Sequence, residues 1–489
     1  RISELPDDRY LFRYYTHDPW WANSPWLDRY GREAHDIYLP MAVARIDGEG
    51  HVKLPTHLTF LTIDDSYGNM PEQVPSEVIP HILHGRRTSP DQPGLIVWIY
   101  PFDEYHDWAH KQPERVEEIY YGDWFIQQAI NDGFPMNTVV SSGNFTKLMK
   151  KDKKTFDESV LVSIVPDAGS EMEKQLMKFV ENGGKLFVYG PSSHASQKFL
   201  DFLNIKIVEP ISGEMKVALE LKSDQVRVPG SDILKHNADM SGGGIETIVD
   251  NNTDPATKIL ARAFSGNQKR DIAVQRQKKE WDGGMVVYLR GTNSATYRGG
   301  HLLTPDNPNQ WFNGSSLLRY SLDNMGYSIH FDKLKADLKN PINCISRNDN
   351  AFYFSGFTPN QTIEQQWLFP QGAPVFTGYE TELRNGIAHY RMPKSYQEEC
   401  RVFVRQNEGI VSCYEVAPVE WKVKRRIGVD GLKQATVSIY PGADDANFKV
   451  VNNVGYPYNK PSLELKKGSD YAGTYYEFTD VTGELIAVW

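Results

Sequence analysis

The sequence predicts a multidomain protein in which an α/β part precedes an all-β part. Its 489 residues exceed what a single core holds, since domains usually contain about 100–200 residues. In the first two thirds of the chain, apolar strands alternate with helical patterns, which is typical of parallel βα units. The rest of the chain has no helical period. It consists of short strands divided by Gly, Pro and Asn turns, which predicts antiparallel β-sandwiches.

The first predicted domain, residues 1–118, has three strand-like segments. A stretch at 75–90 has the apolar spacing of a short helix, and 113–133 has the pattern of a longer one, ended by Gly133. The three strands lie at 36–46, 57–68 and 94–104.

The second predicted domain, residues 119–335, has flavodoxin-like character. Its clearest helix spans 170–184, where Ser170 is the predicted N-cap and Glu173 stands at the capping-box position. Apolar strands lie on both sides of this helix, at 136–142, 158–166, 185–190 and 283–291. Two all-β regions follow: a β-sandwich at 336–420, and a second sandwich or an extension of the first at 421–489.

Composition excludes several classes of function. The net charge is −10 and no long basic run carries interleaved aromatic residues, which argues against nucleic acid as a partner. No apolar stretch approaches the roughly 18 residues that a membrane span needs. The three cysteines show no metal-type spacing, and no cofactor is predicted. Aromatic residues are abundant, at 12%, and their faces are common platforms for sugar rings.

The middle of the chain carries a family resemblance. The run "VLVSIVPDAGSEMEKQLMKFVENGGKLFVYGP" has a strand ending in Pro, a helix with "L..FV..GG" and an apolar strand ending in Gly. It resembles the glutamine-amidotransferase-like domain that follows the catalytic barrel in β-galactosidase-type glycoside hydrolases. No cysteine precedes Cys344, so the nucleophile of a glutaminase is absent. The resemblance implies an assembly module and a possible homo-oligomer.

The order of the domains resembles that of large polysaccharide-degrading enzymes, most of all the pectin-degrading enzymes that gut bacteria secrete. The chain is then the C-terminal part of a glycoside hydrolase that acts on plant or pectic oligosaccharides in the periplasm or outside the cell. Residues 1–118 become the last part of a (β/α)8 barrel, whose active site lies at the carboxyl ends of the strands.

Glycoside hydrolysis needs two carboxyl groups, and the expected strand ends supply candidates. By the resemblance, Glu104 is the candidate nucleophile, because it follows the last strand before the amidotransferase-like domain. Asp64 or Asp65 is the candidate second carboxylate, although the usual acid/base could precede Arg1. The expected substrate contacts are Arg13, His17, Asp18, Trp20, Trp21, Tyr67, Asp103, Tyr105 and His106.

Two alternatives remain open at this point. A non-catalytic carbohydrate-binding or assembly protein also fits the aromatic content and the incomplete barrel. A metal-dependent hydrolase fits His106 and His110, which would share one face of a helix beside Asp103, Glu104 and Asp107. The segment matches no HExxH motif, and the first interpretation assigns no metal.

Overall fold

The computed structural model describes most of the chain and divides it into two compact units. The first unit holds the described residues up to Met325 together with 340–357, and the second holds the other described residues. The described ranges are 11–17, 41–62, 82–151, 154–220, 231–292, 312–333, 340–357, 363–375, 381–392, 401–415, 426–442, 448–453, 463–471 and 473–489.

The strands and helices of both units follow in chain order. The strands are β1 (Leu11–His17), β2 (Ala44–Ile46), β3 (Val52–Lys53), β4 (His57–Thr62), β5 (Ile96–Tyr100), β6 (Thr138–Ser141), β7 (Val160–Ile164), β8 (Lys185–Tyr189), β9 (Ile205–Ile211), β10 (Gly213–Leu219), β11 (Ile233–His236), β12 (Ile245–Val249), β13 (Thr257–Ser265), β14 (Gln268–Arg276), β15 (Met285–Leu289), β16 (Ser328–Lys333), β17 (Ile342–Asn348), β18 (Ala351–Phe357), β19 (Ile363–Leu368), β20 (Glu382–Arg384), β21 (Ile387–Met392), β22 (Arg401–Arg405), β23 (Ser412–Glu415), β24 (Arg426–Tyr440), β25 (Lys449–Asn453), β26 (Lys466–Asp470) and β27 (Gly473–Val488). The helices are α1 (Phe102–Lys111), α2 (Val116–Asn131), α3 (Ser142–Lys150), α4 (Glu171–Glu181), α5 (Gln197–Leu203) and α6 (Ser316–Ser321).

An 11-stranded mixed sheet forms the centre of the first unit, in the order β11-β10-β13-β14-β15-β8-β7-β5-β6-β2-β3. The strands from β15 to β2 run parallel to one another. Counted along the chain from β5, five of them follow the order 2-1-3-4-5, which is that of flavodoxin-like folds. The predicted mixed α/β organisation is confirmed, and antiparallel strands extend the parallel core at both edges.

Local sequence explains the elements around this core. Strands β7 and β15 are buried at all five positions, as expected for strands covered on both faces. Helix α4 begins at the predicted cap, where the Ser170 Oγ accepts a hydrogen bond of 3.1 Å from the Glu173 N–H. The Glu173 carboxylate accepts a hydrogen bond from the N–H of Gly169, one residue before the cap. Gly183, at φ +97°, ends the helix in the left-handed region that favours glycine.

The structure corrects the position of β5. This strand was expected to be the last of a barrel, but it lies between β6 and β7 inside the open sheet. The predicted boundary after residue 118 falls within α2. Strands β1 and β4 form a separate two-stranded parallel sheet, and the described residues show no closed barrel. A short apolar strand buried on both faces is the same in a barrel and in an open parallel sheet, so its sequence could not distinguish them.

The all-β part of the chain does not coincide with the predicted domain boundary after residue 335. Strands β17 and β18 form a hairpin in the first unit, where Asn137 bonds to the Ile345 N–H and to the Ser346 hydroxyl. In the second unit, β16, β19, β21 and β20 form an antiparallel four-stranded sheet. A six-stranded sheet is built on the long strands β24 and β27 and has one apolar core.

No helix in the described part of the chain is long and apolar enough to cross a membrane.

Candidate functional site

The carboxyl ends of the parallel strands meet at one edge of the sheet in the first unit. We call the segments that follow β5, β6, β7 and β8 the carboxyl edge. The chain leaves β5 toward β6 on one side, whereas β7 lies on the other side, so the strand order reverses between β5 and β7. In open α/β sheets, ligands bind outside the carboxyl ends of the strands at such a switch point.

Glu104 and Ser142 come together at this edge from two neighbouring strand ends. Helix α1 begins directly after β5 and carries Asp103 and Glu104 in its first turn. Helix α3 begins directly after β6, with Ser141 as its N-cap and the buried Ser142 as its first residue. The Ser142 Oγ donates a hydrogen bond of 2.5 Å to the Glu104 Oε2. The two residues therefore connect the ends of adjacent parallel strands.

Burial raises the pKa of the Glu104 carboxyl above its ordinary value. The hydrogen bond from Ser142 opposes this shift, while the negative charges of Asp103 and Asp167 reinforce it. Among the residues that the structure describes, no cationic side chain forms an ion pair with Glu104. A raised pKa of this kind is a property that a general acid requires.

Arg115 organises a second group of side chains at the same edge. Its guanidinium carbon lies 3.7 Å from the centre of the Trp108 ring, in a cation–π contact. The same guanidinium donates to the Asp167 Oδ2 at 3.1 Å, and to both Glu118 oxygens at 2.9 and 3.0 Å. The Trp108 Nε1–H donates to the Asp167 Oδ2 at 3.3 Å. Asp167, just past β7, is therefore fixed by two donors from the β5 side.

His194 extends this group to the segment after β8. Its Nε2 lies 3.3 Å from a Glu118 oxygen, and its carbonyl accepts a hydrogen bond from the Ala168 N–H. Burial opposes ionisation of Glu118, but the hydrogen bonds from His194 and Arg115 outweigh it and lower the pKa of Glu118. Arg115 and His194 therefore favour the ionised form of Glu118.

A further carboxylate, Glu246, is bound in the interior beside this edge. The fully buried Arg290 donates to the Glu246 Oε2 at 3.1 Å, and the Ser192 N–H donates to the Glu246 Oε1 at 3.0 Å. The remaining Arg290 donors reach four consecutive carbonyl groups, those of Ser241, Gly242, Gly243 and Gly244. This network satisfies a buried charge and has the character of a structural ion pair.

Most of the predicted substrate contacts, and two of the predicted catalytic carboxylates, belong to β1 or lie outside the described residues. Arg13 and His17 belong to β1, which pairs with β4. The predicted residues Asp18, Trp20, Trp21, Asp64, Asp65 and Tyr67 lie outside the described residues.

The structure does place the predicted residues around Glu104. Asp103 is exposed beside it. Tyr105 is a correction: only 4% of it is exposed, because its ring packs against Tyr100 and Trp108, so it presents no face to a sugar. His106 is exposed, but its Nδ1 bonds to the Phe102 carbonyl of its own helix.

The helical premise of the metal alternative holds, since His106 and His110 share a face of α1 with ring centres 6.4 Å apart. Within the described ranges, however, no group of three or more His, Cys, Asp or Glu side chains could hold a metal ion.

The sequence-based hypothesis missed Ser142, Arg115 and Asp167. Two of them carried a usable signal, because Ser142 follows the apolar "TVVS" and Asp167 follows "VSIVP", both at strand ends. Polar residues that follow parallel strands lie together at the carboxyl edge of the sheet, and this rule predicts the positions of Ser142 and Asp167 as it does that of Glu104. Arg115 carried no such signal, since its partners come from three different segments.

Comparisons with known proteins give distant matches. No family model matches the chain, and no curated protein matches it. Among solved structures, it is similar to the GH42 β-galactosidase Gan42B, with 9% identity, a TM-score of 0.37 and coverage of 89% of this chain and 48% of that one. A β-galactosidase from Rahnella sp. R3 has 10% identity, a TM-score of 0.34 and coverage of 69% and 50%. The α-L-fucosidase isoenzyme 2 from Paenibacillus thiaminolyticus has 9% identity, a TM-score of 0.36 and coverage of 98% and 60%.

These neighbours are glycoside hydrolases, and this chain spans 48–60% of their lengths. Every TM-score lies below 0.5, so the likeness is distant and does not by itself assign an activity to this chain.

Proposed function

We propose that this chain is part of a glycoside hydrolase and that Glu104 is its proton donor. The supporting observation is the raised pKa of a carboxyl group that is hydrogen-bonded to Ser142 and follows β5, a strand that borders the switch point. The sequence-based hypothesis made Glu104 the nucleophile. A nucleophilic carboxylate must be ionised, whereas the surroundings of Glu104 favour the protonated form, so the proposal assigns it the role of general acid.

Asp167 is the second carboxylate of the proposal. Its charge contributes to the raised pKa of Glu104, and donors from Arg115 and Trp108 fix its position. In the proposed step, Glu104 gives its proton to the glycosidic oxygen as the bond to the anomeric carbon breaks. Asp167 stabilises the positive charge that develops on the sugar, and a water oxygen then bonds to the anomeric carbon while a proton of that water returns to the Glu104 carboxylate. The substrate class is that expected from the sequence, plant or pectic oligosaccharides, with a periplasmic or secreted location.

The test compares Glu104→Gln with the unchanged protein on a panel of plant and pectic oligosaccharides, with release of reducing ends as the readout. Removing a general acid is expected to lower kcat by about 10²–10⁴-fold. Asp107→Asn is the matched control, because Asp107 lies on the same helix but is exposed and paired with Lys111 at 2.7 Å. This control is expected to keep the activity of the unchanged protein.

Two results would overturn the proposal. Equal rates for Glu104→Gln and the unchanged protein would remove Glu104 as the acid. Release of no reducing ends by the unchanged protein from any substrate would favour a non-catalytic carbohydrate-binding protein instead.

A further inference from the structure

We propose that the outer face of the six-stranded sheet in the second unit binds a linear oligosaccharide through a row of aromatic side chains. The row consists of Phe403 on β22, Tyr440 on β24 and Tyr475 on β27, and we call it the aromatic row. This site involves no catalysis and does not depend on the function proposed for the carboxyl edge.

The alternation of the strands places all three rings on one face. Their chain neighbours Val402, Ile439 and Tyr476 pack in or against the apolar core of this sheet. Successive side chains of a strand point to opposite faces, so the aromatic row lies on the face away from the core. Its residues are therefore not needed to fill that core.

The rings form a continuous line across the three strands. The ring centres of Phe403 and Tyr440 are 5.5 Å apart, and those of Tyr440 and Tyr475 are 5.2 Å apart. Phe403 is 48% exposed at one end of the line. The Phe403 and Tyr440 rings meet edge to face at 79°, and the Tyr440 and Tyr475 rings are inclined by 36°, so the row offers successive contacts to an extended ligand rather than one deep pocket.

Two contacts hold the rings in place before any ligand binds. Gly468 on β26 lies directly across from Tyr475, and a Cβ there would stand 2.4 Å from the Tyr475 Cζ. The Tyr475 ring therefore lies flat over the backbone of β26, at a position where only glycine leaves room. The Tyr440 hydroxyl donates a hydrogen bond of 2.8 Å to the Asp470 Oδ2. Rings that are fixed in advance lose little conformational entropy on binding.

The surroundings of the row favour a sugar chain over a protein as the occupant. The apolar C–H faces of sugar rings stack on aromatic faces, while their hydroxyl groups need polar partners at the rim. Two described carboxylates lie on this face beside the row: Asp470 accepts the hydrogen bond from Tyr440, and Glu477 accepts a hydrogen bond from Ser438. A protein interface core is depleted of such charges and buries apolar anchors in pockets. Carboxylates beside partly exposed rings suit a ligand with both apolar faces and hydroxyl groups.

The experiment measures binding by isothermal titration and by affinity electrophoresis in gels that contain pectic galactan, polygalacturonate or xyloglucan. The variants are Tyr475→Ala and Phe403→Ala, and the control is Ile410→Ala. Ile410 is 90% exposed in the same unit but lies beside Gly431, far along β24 from Tyr440. Each row variant is expected to weaken binding of at least one polysaccharide by about fivefold or more, and the control to leave it unchanged.

A further variant changes the position of one ring and leaves the aromatic residues of the row unchanged. Gly468→Ala keeps every aromatic residue but displaces the Tyr475 ring, so it is also expected to weaken binding. Thermal unfolding of each variant identifies any that fail to fold. The proposal is overturned if the unchanged protein binds none of the polysaccharides, or if folded row variants bind as well as it does. It is also overturned if the variants abolish only self-association, measured by sedimentation.

Discussion

Glu246 and Glu104, two glutamates of the first unit, are held in opposite ways. Glu246 is paired with a fully buried arginine and also accepts a hydrogen bond from the backbone of Ser192. Glu104 is bound by one hydroxyl group, and burial raises its pKa. The first arrangement compensates the charges of both partners, whereas the second raises the pKa of a carboxyl group at the sheet edge. The difference indicates that Glu246 stabilises the fold and that Glu104 is available for chemistry.

The largest expected effect comes from removing the charge of Glu246. Glu246→Gln leaves the Arg290 charge buried without its anionic partner, and breaking such a pair costs about 3–5 kcal/mol. Glu104→Gln leaves no buried cation behind and is expected to cost about 1 kcal/mol or less. Urea unfolding of both variants measures the contrast. Glu280→Gln is the control, since Glu280 is 67% exposed, and the change should be within about 0.5 kcal/mol. Equal destabilisation by the first two changes would contradict the distinction.

Asp132 tests whether burial raises carboxyl pKa values in this protein. Burial raises its pKa to about 6, against hydrogen bonds from Ser315, Asn340 and Asn313. The folded state then holds its proton more tightly than the unfolded state, so this contribution to stability is present at low pH. It is lost as the pH rises through about 6, and the change is on the order of 2–3 kcal/mol.

The measurement is the free energy of unfolding from pH 4 to pH 7 for the unchanged protein and for Asp132→Asn. The free energy of unfolding of the unchanged protein, relative to that of Asp132→Asn, should be higher at pH 4 than at pH 7. If the curves are parallel, Asp132 has an ordinary pKa, and the same argument for Glu104 is weakened.

The smallest expected effect comes from the hydroxyl group of Ser142. Ser142→Ala removes a hydrogen bond that favours the ionised form of Glu104, so the pKa of Glu104 should rise further. The basic limb of a pH–rate profile reports the change, because a general acid loses activity when it loses its proton, and the stability cost should be about 1 kcal/mol. Thr146→Val is the control, because Thr146 lies on the same helix and bonds only to the Gly143 carbonyl. A downward shift of the pKa in Ser142→Ala would contradict the assigned role of the hydroxyl.

The sequence predicted the parts of this site that depend on local pattern. Consecutive residues determine the apolar runs of β5, β7 and β8 and the Ser170 cap of α4. Glu104 could be predicted because it comes shortly after the end of β5. It could not predict whether β5 closes a barrel or lies within an open sheet, since both bury the strand on two faces. The pairing of Arg115 with Asp167, 52 positions away, depends on strand order and has no local signature.

The aromatic row shows the same limit in the second unit. Alternation in the sequence around Phe403, Tyr440 and Tyr475 predicts strands but not which strands are neighbours. Their alignment depends on the register between β24 and β27, which pairs Ile439 with Tyr476. A row of side chains from three strands is a property of the sheet and not of any one segment.

In the proposed function, the carboxyl group of Glu104 holds its proton more tightly than an ordinary glutamate does. The most direct test is an NMR titration of the side-chain carboxyl carbons in protein labelled at glutamate, with Glu104→Gln identifying the Glu104 signal. We expect this signal to titrate at a higher pH than an ordinary glutamate side chain does. Titration of Glu104 at or below the pH of an ordinary glutamate side chain would contradict its assignment as the proton donor.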